Sequence, residues 1–352
     1  MTSVISGADN LLYGPDKRHL SGAAEGRDTE PTTVKEVCMK KAVLVLALAV
    51  AVAGAAFAGG KKDSAKDDGH YLFGATYMTM NNPFFVNLNN GIKGIVEARG
   101  DKLVAFDPAL DQAKQIAQIE DMIAQGVDAI FLNPVDWKGV RPALDAAKKA
   151  GIPIINVDAP VFDVDLVSCV VASDNYNAGV LVAQDVQKRL KSAKVVLLEH
   201  PTAKSAIDRT QSFVDTMKGK SQYEVVARQS SNGQIEQAMP VMENIIQAQP
   251  VINVVMGLND PTAMGALAAL EAAGRSKDVL IYGVDGAPDA KKMVAEGRLT
   301  ATAAQSPIGI GREAASAAYS LLAGQSVKKE ILVPITLIDK SNVDKYGTDG
   351  WQ

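Results

Sequence analysis

From Tyr71 onward, short apolar runs alternate with stretches whose hydrophobic residues recur at helical spacing. The runs Tyr71–Thr79, Lys102–Phe106, Ala129–Asn133, Pro153–Asp158 and Leu166–Ala172 predict five strands. The rhythm repeats at Lys194–Glu199, Tyr223–Gln229, Asn253–Asn259, Val279–Asp285 and Leu299–Gln305. Between them, Ile116, Ile119 and Ile123, and later Ile207, Phe213 and Met217, fall on one helical face. Continuous apolar strands separated by helices imply parallel sheets covered on both faces, an α/β architecture. So many strands suit two sheets better than one, with the change of unit near Ala172–Asp174.

Polar residues break the apolar pattern at particular places. Asn133, Asp158, Asn259, Asp285 and Gln305 each close a predicted strand at its C-terminal end. In open α/β sheets that edge is where ligands bind. Any one of them could merely cap the next helix; five across two sheets describe a divided polar cleft. The first strand runs into Asn81-Asn82-Pro83-Phe84-Phe85. Amides supply donor and acceptor together, and flat rings cover the C–H faces of a sugar, so this turn suits a polyhydroxylated ligand. Pro83 fits the first turn of a helix, where a missing N–H leaves nothing unsatisfied.

The segment upstream changes the picture of where the protein works. Met39-Lys40-Lys41 gives a basic start, Ala42–Ala58 is apolar or small throughout, and Ala56-Phe57-Ala58 fits a small-x-small cleavage site. The run is shorter than the roughly 20 residues of a membrane span, so residues 39–58 read as a cleaved export signal. Residues 1–38 carry no period and read as an upstream artefact or disordered extension, and 59–69 as a flexible leader. Acidic and basic residues balance before Gly59, so the mature chain keeps the net charge of −4, which argues against nucleic acid. Of the two cysteines, Cys38 precedes the signal, and Cys169 alone cannot form an internal disulfide or a four-cysteine zinc site.

In order along the chain, Asn81–Phe85, Asn133-Pro134, Asn156-Val157-Asp158, Ser173-Asp174-Asn175, Leu258-Asn259-Asp260, Gly283–Gly286 and Ala303-Ala304-Gln305 follow one pattern. It resembles that of the periplasmic type I sugar-binding proteins of ABC transporters, in particular the ribose-binding group, from about Tyr71 to Ile338. The resemblance implies two Rossmann-like domains joined by three crossings near Ala172–Asp174, Ala304–Ser306 and Pro334–Thr336. The N-terminal lobe would comprise 70–173 and 306–334, the C-terminal lobe 174–305 and 335–352. It further implies a ligand held by Asn82, Phe84, Phe85, Asn133 and Asp158 from the first lobe. Arg209, Asn259, Asp285 and Gln305 would come from the second lobe or its hinge. A monomer that delivers a small neutral sugar or polyol to a permease is expected, without cofactor, metal or catalytic activity. A sensor presenting its ligand to a chemoreceptor, or the effector-binding part of a lactose-repressor-type regulator, shares this architecture.

Two departures bear on the ligand. Ala159 stands where the ribose-type pattern has a second arginine, and Gly233 where it has an aromatic. The loss of a cation disfavours anionic sugars, and the loss of a ring opens the site; Trp137 is a candidate replacement ring, with helix packing as its ordinary use. Gly309-Ile310-Gly311 imitates a dinucleotide-binding turn, but too little chain follows it, so packing glycines are expected. His200 lacks partners at metal-ligand spacing and Ser205 lacks a nucleophile elbow, which leaves His200 as a polar residue on the cleft rim.

Overall fold

The computed structural model describes residues 69–352. The expectations for the export signal and for residues 1–38, and nearly all of the leader, lie outside the described residues. Two six-stranded sheets organise the rest. The first holds β1 (Leu72–Thr76), β2 (Lys102–Phe106), β3 (Ala129–Leu132), β4 (Ile154–Val157), β5 (Cys169–Ser173) and β11 (Glu330–Val333), in the order 11-5-4-3-1-2. The second holds β6 (Ala193–Glu199), β7 (Tyr223–Ser230), β8 (Val254–Gly257), β9 (Leu280–Asp285), β10 (Ala301–Ala304) and β12 (Thr336–Asp339), in the order 12-10-9-8-6-7. All neighbours are parallel except β10 and β12, which run antiparallel. Both sheets belong to one compact unit spanning Asp68–Gln352.

The central strands are apolar because both faces are covered. Every residue of β3, β4 and β5 is buried, and β8 and β10 are likewise closed off. β11 and β12 are the two strands missing from the ten apolar runs. They lie at sheet edges, where half-exposed residues alternate and no continuous apolar run is required. The predicted fifth strand also begins later than Leu166, since Val164–Leu166 form a 3-10 turn and pairing starts at Cys169. Cys169 packs as a small apolar residue with no exposure, and burial pushes its thiol up to about 11.

The helices flanking the first sheet are α1 (Pro83–Ala98), α2 (Gln112–Ala124), α3 (Arg141–Ala150) and α9 (Pro307–Leu322). Around the second lie α4 (Asn175–Arg189), α5 (Lys204–Met217), α6 (Ile235–Ala248), α7 (Asp260–Ala272), α8 (Pro288–Glu296) and α10 (Val343–Tyr346). Of the dinucleotide-like motif, Gly311 packs against a neighbouring helix, whereas Gly309 meets only Ser306 of its own helix cap. A Cβ at Gly311 would come 2.2 Å from the Leu88 carbonyl, and one at Gly91 2.4 Å from that of Ile308, so α1 and α9 touch backbone to backbone. That contact ties α9, which follows β10 of the second sheet, back onto the first. The chain therefore passes between sheets three times, after Ser173, after Ala304 and after Val333.

In each sheet the strand order reverses beside the first strand of the unit, between β1 and β3 and between β6 and β8. Loops leaving neighbouring strands there diverge to opposite faces and leave a crevice. The two crevices face each other, and the candidate site lies between them.

Candidate functional site

The first wall grows from the turn after β1. Asn82 caps α1: its Oδ1 accepts the Phe84 N–H at 2.9 Å, and Pro83 occupies the position that needs no donor. The cap fixes the first helical turn and turns Phe84 and Phe85 inward, 2 % and 5 % exposed, edge to face with centroids 5.4 Å apart. Asp158 follows β4 with φ +63°, a left-handed backbone that a non-glycine residue adopts at a cost of order 1–3 kcal/mol. Its Oδ2 accepts from Asn133 Nδ2 at 3.1 Å, while Oδ1 is buried and has no partner within the protein. Burial raises its carboxyl to about 6, against the opposing pull of Arg209 and the Asn133 hydrogen bond.

The second wall is more charged. Arg209 reaches in from α5, 4 % exposed, its Nε donating to Asn175 Oδ1 at 2.8 Å and its Nη1 to the Leu258 carbonyl at 3.0 Å. Nη1 lies 3.8 Å from Asp285 Oδ1, which also accepts from Gln305 Nε2 at 2.8 Å. Burial drives the Asp285 carboxyl well above the usual range; Arg209 opposes this, and Asp260 and Asp158 add to it. Asn259 caps α7 through Oδ1 to the Thr262 N–H and gives Nδ2 to the Gly233 carbonyl, both at 3.0 Å. Gln305, at the second crossing, keeps Oε1 buried and without a partner.

These residues line one small cavity between the lobes. Asn82, Phe84, Phe85 and Asp158 line it from the first lobe and Arg209, Asn259, Asp285 and Gln305 from the second and its hinge. Asn133 does not reach it. Fully buried, its amide also accepts from Met78 N–H at 3.0 Å and donates to the Val157 carbonyl at 3.3 Å, so it orients Asp158 from behind. Trp137 is not in the lining either, which corrects its candidacy as a replacement ring. Its ring packs on Phe162, and its backbone N–H donates across the lobes to the Thr202 carbonyl at 3.0 Å. Ala159 is buried in the core beside the first sheet, so no side chain takes the place of the absent cation. Gly233 sits at φ +71° in the wall and a Cβ there would meet Asn259 Nδ2 at 3.0 Å, so the turn disfavours a ring at this position.

Several lining residues escaped the sequence reading. His200, expected on the rim, is buried in the wall at 6 % exposure, and burial lowers its imidazole to about 4, leaving it neutral at pH 7. Ser205, Asn232 and Gln234 join it from the segments after β6 and β7. They obey the same strand-end rule, one loop further on. Asp260 lies behind Asp285, accepting from Thr302 Oγ1 at 2.7 Å and the Ala287 N–H at 2.8 Å, and burial raises it to about 7. The lobes meet over the cavity, since Asn81 Nδ2 donates to Gln234 Oε1 at 3.0 Å, and Ala203, Ala206 and Leu258 pack into the core of the first lobe. Among the described residues no group of three or more histidines, cysteines or carboxylates is placed to hold a metal, and no helix is long and apolar enough to cross a membrane.

Residues 73–326 match the periplasmic binding protein domain. The chain belongs to the periplasmic binding protein family. It is 38% identical over 269 residues to the ribose import binding protein RbsB of Bacillus subtilis, covering 76% of this chain and 87% of that one. It is 30% identical over 303 residues to the xylitol-binding protein of Mycolicibacterium smegmatis, covering 84% and 86%. Among solved structures, an ABC transporter solute-binding protein from Bacillus halodurans with bound myo-inositol superposes with a TM-score of 0.75 at 28% identity, covering 80% of this chain and 98% of that one. The family is one of extracytoplasmic transport binding proteins. The two-sheet, mostly parallel architecture is thus the periplasmic binding protein type I fold.

Proposed function

We propose that this chain is an exported solute-binding protein that closes its two lobes on a small neutral sugar or polyol and delivers it to an ABC transporter permease. One observation carries the reading. Two residues that line the cavity shared by both lobes, Asp158 and Gln305, each keep a buried acceptor, Oδ1 and Oε1, that no protein donor reaches. A polyol brings hydroxyl donors to both, and Phe84 and Phe85 offer flat apolar walls to its C–H faces.

The charge of the wall supports a neutral ligand. His200 is neutral, Ala159 contributes no second cation, and the one guanidinium in the wall already lies beside Asp285, so a phosphate or carboxylate on the ligand would lack a free cation to pair with. Hydrogen bonds to charged groups contribute about 1.5–3 kcal/mol each, against roughly 0.5–1.5 for neutral ones. A few of them reach the roughly −8 kcal/mol of a micromolar complex after ordering is subtracted. The protein acts as a monomer without cofactor, and binding rather than catalysis is its role.

Thermal-shift screening of the mature protein against pentoses, hexoses, acyclic polyols and cyclitols tests this directly. At least one should raise the melting temperature in a concentration-dependent way. A chain stabilised only by anionic sugars, or by none of these classes, contradicts the proposal. Loss of uptake of that ligand in a strain lacking the chain identifies a permease partner; intact uptake with lost chemotaxis points to a chemoreceptor instead.

A further inference from the structure

Trp351 lies outside every motif of the site, yet it stands at the junction of the two lobes. Its ring packs on Phe84 edge to face, with centroids 6.0 Å apart and planes at 70°. Phe84 lines the cavity and belongs to the first lobe, against whose core Trp351 packs, whereas the chain that carries Trp351 belongs to the second lobe through β12 and α10. Its anchor there is Lys291 of α8, a fully buried side chain whose Nζ donates to the Gly350 carbonyl at 2.7 Å. Trp351 also borders the groove where Asn81–Pro83 of one lobe face Gly233–Glu236 of the other.

We propose that Trp351 is a positioning residue for ligand binding: carried by the second lobe, it braces the Phe84 ring of the first only when the lobes are closed. The inference rests on the closure reading above and adds a residue to it. A contact made in the closed form and broken in the open form adds its whole free energy to closure, and hence to affinity, although Trp351 touches no ligand. It also fixes the plane of Phe84, which is the face that a sugar ring would meet. An aromatic edge-to-face pair of this kind is worth a factor of roughly three to ten in a binding constant. Because the brace must release before the lobes open, the effect falls on dissociation rather than association.

The test uses the full mature chain and, as probe, whichever of ribose, allose, xylitol and myo-inositol binds the wild type most tightly. Stopped-flow kinetics should show Trp351→Ala releasing the probe about three- to tenfold faster at an unchanged association rate, with Trp351→Phe restoring most of the difference. The apo melting temperature should stay at the wild-type value, which a merely structural role would not allow. The chain has two tryptophans, so Trp137→Phe leaves Trp351 as the sole reporter, and its emission should change on saturation with the probe. Unaltered release by Trp351→Ala, an equal loss of apo stability, or emission blind to the probe would overturn the inference while leaving the polyol reading intact. A wild type that binds none of the four probes overturns this inference together with the reading on which it rests.

Discussion

The two walls of the cavity are held together by different means. In the second lobe, Arg209, Asn175, Asp285 and Gln305 satisfy one another, and Asp260 is tied to Thr302 behind them. Apart from Gln305 Oε1, that network has its partners whether or not a ligand is present. In the first lobe the wall is the Asn82 amide, two phenylalanine rings and one carboxylate, and Oδ1 of that carboxylate has no protein partner. One wall is thus a structural network that also binds, and the other is a surface completed by closure. Changes to the first kind should damage fold and affinity together, and changes to the second chiefly affinity.

Arg209→Met presses that contrast hardest. It strips the cation from Asp285 and the donors from Asn175 and Leu258. Breaking a buried charge pair from one side costs about 3–5 kcal/mol of stability, and affinity should fall at least tenfold alongside. Denaturant titration of the apo protein with calorimetry of the ligand reads both. Apo stability close to wild type would show that the network is not structural.

Phe84→Ala should lower affinity by a comparable factor, yet cost less apo stability than the roughly 3–5 kcal/mol of a core Phe→Ala change. The ring is buried against Phe85 and Trp351 with the lobes together, and part of that burial is lost when they open. If its apo loss matches that of Arg209→Met, the two walls do not differ as described.

The pH dependence separates the walls through Asp158. Burial raises its carboxyl to about 6, so acidification through that value turns a charged acceptor into a neutral acid. Affinity for a neutral polyol should therefore fall several-fold from about pH 7 to pH 5, and Asp158→Asn should flatten the profile. The effect on the apo fold has the opposite sign. Between the ordinary carboxylate range and 6 the folded chain holds the extra proton, so this group's contribution to stability declines as pH rises through that window. His200, lowered to about 4, removes stability as pH falls from its ordinary value of about 6.5 towards 4. Calorimetry at stepped pH gives the affinity profile, and melting curves give the stability balance.

The smallest effect is expected at His200. It is neutral and buried in the second wall, but the structure gives its side chain no hydrogen-bond partner in the Arg209–Asp285 network. His200→Gln should change affinity by no more than about threefold, which corresponds to less than one ordinary neutral hydrogen bond. A loss equal to that of Arg209→Met would make the imidazole a principal ligand contact and redraw the second wall.

The limits of the sequence reading follow the same physics. Buried strands such as β3 and β8 are legible because two covered faces demand an unbroken apolar run. The edge strands β11 and β12, with exposed and half-buried residues, impose no such demand. Asp158, Asp285 and Gln305 stand out as polar residues ending apolar strands. Ser205, Asn232 and Gln234 do not, because polar residues in loops and first helical turns are ordinary. Asn133 illustrates a different limit: its place at a strand end is visible, but whether its amide faces the cavity or Asp158 depends on contacts with Met78 and Val157. Trp351 is more than 260 positions from Phe84 in the chain, and no periodicity could have joined them.

Closure on a neutral ligand is the claim from which the rest follows, and small-angle scattering measures it most directly. The radius of gyration of the mature protein should fall on saturation with its tightest-binding sugar or polyol, as the lobes move from an open to the closed arrangement described here. An unchanged radius at demonstrated saturation would mean that the cavity binds without closing, and would contradict the account.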